Sequence, residues 1–277
     1  MNKQFAYPKG PIPWQAAPHD FTGDYNLNIY TTETTQRFAL GTRYETWDGR
    51  VFRYARAGSN RTTGYAMSFN STKFAGSGAS TSDAVIASAT VVGGNTVDYT
   101  VTAAQGYDAD GSLAKDVLCG GFIVVLGETP AHQFRQIVAN TAVVSGGGTT
   151  TITVESPWAY AEAAATTCCI WGNPYYDVRE IAEDYISAAG VPVVNVTTGQ
   201  FFWMQTWGPC RTSGHSATAG IVAGERQVWF GPNGNFRSGD TDAMKGTSRQ
   251  LAGFYIERTS ASAGAGYNPL VMLQISP

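Results

Sequence analysis

The side chains that could do chemistry are few and scattered. His19, His132 and His215 are the three histidines of the 277-residue chain. None falls in an H-E-x-x-H or H-x-E arrangement, the spacings that aim two ligands or a base at one point. Each therefore reads as a surface or hydrogen-bonded imidazole. Asp108-Ala-Asp110-Gly111 begins like a calcium loop, in which carboxylates at alternate positions surround a cation. Cys119 stands where the closing glutamate belongs, so the run predicts a turn held by aspartate side chains.

The pairs Asp240/Asp242 and Glu180/Glu183 bring acids together in sequence, but catalytic acid and base are defined by a spatial gap that sequence does not hold. They read as solvated carboxylates. Cys119, Cys168, Cys169 and Cys210 form no C-x-x-C unit. The adjacent pair cannot readily bridge, because a disulfide needs converging Cβ vectors. All four are expected to be small buried thiols in a reducing bacterial cytosol. The chain has no G-x-S-x-G elbow, no G-x-x-x-x-G-K-[ST] loop and no G-x-G-x-x-G joining strand to helix. These readings together predict no enzyme, no cofactor and no metal centre.

Composition narrows the partners. Charged residues are 14% of the chain, against about a quarter in an ordinary soluble domain, while hydrophobic residues are 43% and aromatics 12%. The surface must therefore be largely neutral Thr, Ser, Asn, Gln and Gly, which suits contacts that pack without desolvating ions. Net charge is −3 with no basic stripe, so phosphate neutralisation offers little binding energy and nucleic acid is not expected as a partner. No apolar run is long enough to cross a bilayer, and the start MNKQFAYPKGPIPWQ lacks a signal-peptide core, so no membrane association or export is expected.

The elements that would position any site read as β throughout. Residues 1–23 carry Pro8, Pro11, Pro13 and Pro18 with Trp14 and Phe21 between them, which predicts an extended arm. It is either a strap to a neighbouring subunit or a tail or edge of its own domain. From Leu40 to Tyr54 two strand-like runs flank Trp47-Asp48-Gly49, and Asp-Gly predicts a tight hairpin. Arg43, Arg50, Arg53 and Arg56 would crowd that hairpin as a salt-bridged strand face or a subunit contact. The stretch 58–82 reads as a weak strand or long loop. Closely spaced strands between Ala84 and Val154 favour an antiparallel barrel or sandwich. Val178, Ile181, Ala182, Tyr185 and Ile186 have helical period, so 177–187 reads as a short helix or irregular linker. A second strand series, including Gln200–Trp207, Leu251–Arg258 and Leu270–Ile275, predicts a C-terminal barrel. In Phe201-Phe-Trp-Met-Gln-Thr-Trp207 both alternating sets are largely apolar, so the strand should be covered on both faces.

Three phrases carry a resemblance: Thr35-Gln-Arg-Phe-Ala-Leu-Gly-Thr-Arg43, Asp48-Gly-Arg-Val-Phe-Arg-Tyr-Ala-Arg-Ala-Gly58 and Phe202-Trp-Met-Gln-Thr-Trp-Gly-Pro-Cys210. They resemble segments of a family of tailed-phage virion proteins encoded near major capsid genes. The resemblance implies a capsid decoration, or cement, protein on the outer surface of the virion. Its implied partners are the major capsid protein and copies of itself, as a homotrimer or a dimer. It brings no catalytic residues.

The sequence thus predicts an all-β protein: an extended arm over 1–23, a β domain over 24–190 and a β barrel over 191–277. Pro11, Pro13, Trp14, Phe21, Arg50, Arg53, Trp203 and Trp207 are the expected capsid or oligomer contacts. The alternative is a carbohydrate-binding adhesin or tail-associated virion protein, motivated by exposed aromatics and Gly-rich loops.

Overall fold

The computed structural model describes residues 28–69, 84–103, 105, 110–127, 132–181, 187–213, 226–238, 250–257 and 268–277. The expected arm lies outside them. Within these described residues sixteen strands follow one another. The first six are β1 (Arg43–Glu45), β2 (Val51–Arg56), β3 (Met67–Ser68), β4 (Ala84–Val85), β5 (Thr96–Val101) and β6 (Phe122–Val125). Next come β7 (Gln133–Asn140), β8 (Gly148–Val154), β9 (Thr167–Trp171), β10 (Arg179–Glu180) and β11 (Ala188–Pro192). The last are β12 (Phe201–Arg211), β13 (Gln227–Phe230), β14 (Phe236–Ser238), β15 (Leu251–Glu257) and β16 (Leu270–Gln274). Among the described residues the only helix is a three-residue 3-10 turn at Pro232–Gly234. The protein is all-β, as its composition predicts.

The strands form two compact units, Met1–Asn70 with Tyr175–Pro277, and Ser71–Pro174. This division differs from the one read at residues 24 and 191. The reason is long-range pairing: β2 hydrogen-bonds along β12, from Arg56 opposite Phe201 to Val51 opposite Trp207. Residues before 70 therefore share a sheet with the C-terminal strands, and 71–174 form an excursion between them.

In the first unit ten strands make an antiparallel half-barrel in the order β10-β3-β11-β12-β16-β15-β13-β14, with β2 also on β12 and β1 on β2. The β1–β2 hairpin is the one expected from Asp48-Gly49: Arg43 to Glu45 lie opposite Arg53 to Val51, and Gly49 takes φ 79° at the tip. Residues 178–180 are not helical. Val178 bridges Ala57 and β10 pairs with β3, so the apolar spacing there serves sheet burial. Residues 182–186 lie outside the description.

In the second unit six strands run in the order β4-β9-β6-β7-β8-β5. A bridge from Ile86 to Tyr99, with Ala87 N–H on the Asp98 carbonyl at 2.7 Å, brings the first strand to the last and nearly closes the barrel. Inward positions such as Val97, Tyr99, Ile123, Val125, Ile137, Ile152 and Ile170 are buried and fill it. Polar groups inside are matched. Gln133 accepts from the Ala159 and Tyr160 N–H groups at 3.0 and 3.2 Å and donates to the Tyr160 carbonyl at 3.1 Å. Asn140 accepts from Leu118 N–H at 2.9 Å and donates to the Ala114 and Thr141 carbonyls at 3.0 Å each. Unpaired, each of these amides would cost about 1–3 kcal/mol.

Candidate functional site

Strand β12 is the organiser of the first unit, and it changes character along its length. In its first half both faces are covered, as the two apolar sets predict. Phe202 and Met204 pack with Ala55, Met67, Val178, Ala189 and Val196. Phe201 and Trp203 pack on the other side with Ile29, Phe52 and Tyr54. The Trp203 ring lies 5.1, 5.2 and 5.6 Å from those of Tyr54, Phe38 and Tyr44. Trp203 is thus 3% exposed. The expectation that it is a subunit contact is corrected, because the unit's own N-terminal residues fill that face.

Beyond Gln205 the strand leaves β2 through a bulge and joins β16. From there, among the described residues, only one face is covered. Cys210, Val271, Leu273, Tyr255, Val228, Phe230 and Phe236 point into the core. The other face looks outward and is apolar. Register lays its side chains in rows: Pro209 lies opposite Met272, Met272 opposite Phe254, and Phe254 opposite Gln227. One row on, Arg211 and Glu257 stand either side of Leu270. Toward the other end, Trp207 lies opposite Gln274, and Leu251 lies beside Trp229. Leu251, Phe254 and Ile256 are 40–43% exposed and Trp207 is half-buried. Ordinary sheets alternate apolar inward with polar outward; this one is apolar on both sides. Trp207 is the expected contact residue that the structure places on this face.

Phe254, Met272, Leu251, Ile256 and Pro209 were not singled out from the sequence. The signal was present: Leu270-Val-Met-Leu is apolar at both parities, like the start of β12. What local sequence does not reveal is which of two such strands gains a second cover.

The second unit carries a smaller outward apolar face. Phe122 on β6 and Phe134 on β7 stack with ring centroids 5.1 Å apart and planes at 19°. Val124 lies directly opposite Phe134, and Phe134 is 55% exposed.

A third feature is the tip of the β1–β2 hairpin, where Trp47 is 90% exposed. The turn beneath it is braced. Thr46 N–H donates to the Arg50 carbonyl at 2.9 Å, Arg50 Nε donates to Asp48 Oδ2 at 2.8 Å, and the Thr46 hydroxyl donates to Asp48 Oδ1. Burial opposes ionisation of Asp48, but the hydrogen bonds from Thr46 and Arg50 outweigh it and hold the carboxyl below its usual range. Of the other expected contacts, Arg50 is tied to Asp48 and lies over the Phe52 ring at 5.6 Å, and Arg53 donates to the Gly41 carbonyl at 3.2 Å. Both are half-buried within their own unit. Pro11, Pro13, Trp14 and Phe21 lie outside the described residues.

Most of the residues weighed for catalysis lie outside the described part of the chain. His132 is exposed; His19, His215, Asp108, Glu183, Asp240 and Asp242 fall outside the description. Asp110 accepts from Ser112 N–H at 2.8 Å, the aspartate-held turn expected there. Glu180 pairs with the buried Arg61 at 2.5 Å. Among the described residues no three metal-ligating side chains cluster. None of the four cysteines is in a disulfide, and only Cys168 and Cys210 are buried; Cys119 is exposed and Cys169 half-buried. The expectation of four buried thiols is corrected: Cys119 sits in the turn ahead of β6, and Cys169 faces outward beside Val124.

No protein-family model matches the chain, and no match was found among curated proteins or solved structures.

Proposed function

We propose that this chain is a non-catalytic structural protein of a tailed-phage particle that decorates the outer surface of the capsid lattice, with the major capsid protein as its partner. The observation that carries this reading is that each unit leaves apolar side chains on an outward sheet face. Such surface is costly to keep in water, and contiguous exposed apolar patches mark protein contacts. The resemblance of the 35–43, 48–58 and 202–210 segments to virion proteins supplies the setting. The Phe122–Phe134 stack and Trp47 are the contacts assigned to the shell, because aromatic side chains on rigid β supports make strong anchors. Many weak contacts repeated over a lattice hold a shell together by avidity.

The test is to add the purified chain to undecorated capsids of the phage that encodes it and count copies by mass spectrometry. Hundreds per particle are expected on the order-of-magnitude logic of lattice binding. Binding should fall roughly tenfold or more for Phe134→Asp and for Trp47→Ala. A handful of copies per particle would sink the reading.

The second reading is a carbohydrate-binding or tail-associated module. It is favoured by Trp47, whose projecting indole could stack on a sugar ring. Glycan-array binding that disappears in Trp47→Ala at unchanged melting temperature would establish it.

A further inference from the structure

The outward face of β12, β16, β15 and β13 carries charges of opposite sign on either side of an apolar middle strand. We propose that this face pairs with the same face of a second copy, about a two-fold axis that runs along β16 and passes over Met272. This pairing needs only the isolated chain, so it stands or falls apart from the capsid reading.

The argument follows from register. Rotation by 180° about an axis lying along β16 keeps each residue's position along the strands and exchanges the β12 side for the β15 side. Arg211 and Glu257 flank Leu270 in one row, so Arg211 of each copy falls over Glu257 of the other. Two ion pairs form, whereas a two-fold running across the strands over Met272 would carry Arg211 to the Trp207 end and make neither. In the next row Pro209 and Phe254 flank Met272; the rotation puts proline over phenylalanine and methionine over methionine. At the far end Trp207 comes toward Leu251. Every row therefore matches itself under one operation, which is what an isologous interface requires.

Shape agrees. Two twisted sheets pack face to face about 10 Å apart with strands near 30° to one another, and inclining the two-fold to β16 by about half that angle gives this crossing while the rows still face one another. The core already covers the inner side, so a second sheet on the outer side completes the sandwich that residues apolar at both parities call for. At about 4.8 Å per strand and roughly 7 Å between outward positions, the patch is small for an interface. The pair should be at the weak end, with a dissociation constant on the order of micromolar.

Sedimentation at tens of micromolar tests the idea. Wild type should sediment as a monomer–dimer equilibrium. Arg211→Glu and Glu257→Arg should each weaken the dimer roughly tenfold, and the double exchange should return it to near the wild-type constant. Phe254→Asp should leave monomer only, with melting temperature showing that it is folded. A wild-type monomer at this concentration overturns the proposal, as does a trimer. So does a double exchange no tighter than either single variant.

Discussion

The side-chain amide of Gln205 lies 2.9 Å from the carbonyl oxygen of Pro209, four residues along the same strand. The same nitrogen is 3.0 and 3.3 Å from the carbonyls of Trp207 and Gly208. Gln205 is 1% exposed, so its two amide hydrogens are spent on the segment where β12 passes from β2 to β16. One buried polar side chain thereby fixes the place where a strand covered on both faces becomes one that is open on its outer side.

Replacing Gln205 with leucine keeps the volume and removes those donors. The expected cost is about 2 kcal/mol, since buried carbonyls lose their partner. A lower urea midpoint at unchanged slope is the check. Gln205→Glu should be worse, because a carboxylate would face three carbonyl oxygens.

Gly253 sits on β15 against β16 at φ 143°, and a Cβ there would lie 1.8 Å from the Met272 carbonyl oxygen. The β-bulge of β15 opposite β13 allows this close approach. Gly253→Ala should cost about 3 kcal/mol, because the obstacle is backbone and cannot swing aside. Thermal unfolding of the variant measures it, and an unchanged melting temperature would contradict the close approach.

High pH should unfold the first unit through two buried acids. Burial, with the Glu33 carboxylate and its hydrogen bond adding to it, pushes the Tyr54 phenol from about 10 up to about 12. Burial likewise pushes the Cys210 thiol from about 9 up to about 12. Both folded values exceed the unfolded ones, so their contribution is fully present below pH 9 and is lost as pH rises from 9 to 12. Tyr54→Phe should flatten the part of that loss above pH 10. It should also cost about 1 kcal/mol at neutral pH, through the lost bonds to Glu33 and to Arg37 N–H.

Thiol labelling should separate the cysteines. Cys119 is the one exposed thiol, and burial of its surroundings with the nearby Asp116 charge raises its pKa. It should label first, yet more slowly than a free cysteine at pH 8, because the thiolate is the reactive form. Cys168 and Cys210 should label only on unfolding. Mass mapping of the modified peptides decides the order.

Where local chemistry sets structure, the sequence was readable. Asp48-Gly49 defined the first hairpin because the turn demands a positive φ. The two apolar sets of Phe201–Trp207 announced a strand covered twice, which holds for its first half, and the closely spaced strands from β5 to β8 announced an antiparallel barrel or sandwich. The errors share one cause. The helical spacing at Val178 and Ile181 is a by-product of sheet burial decided by partners more than a hundred positions away. Trp203 is covered by Phe38, Tyr44 and Tyr54, whose contact with it depends on register between β2 and β12. The face around Met272 is not legible in the sequence for the same reason: a strand apolar on both sides looks alike whether its second cover comes from the chain itself or from elsewhere.

The point where the chain leaves the first unit and the point where it returns are held side by side, since the Phe69 and Tyr175 rings meet edge to face with centroids 5.4 Å apart. A few glycines and serines can span such a gap. Excising 71–174 as a cassette should leave a shortened polypeptide able to close its own half-barrel, and the removed piece, with its Ile86–Tyr99 seam, should fold when expressed alone. A gene built this way can exchange or lose its middle without rewiring either flank.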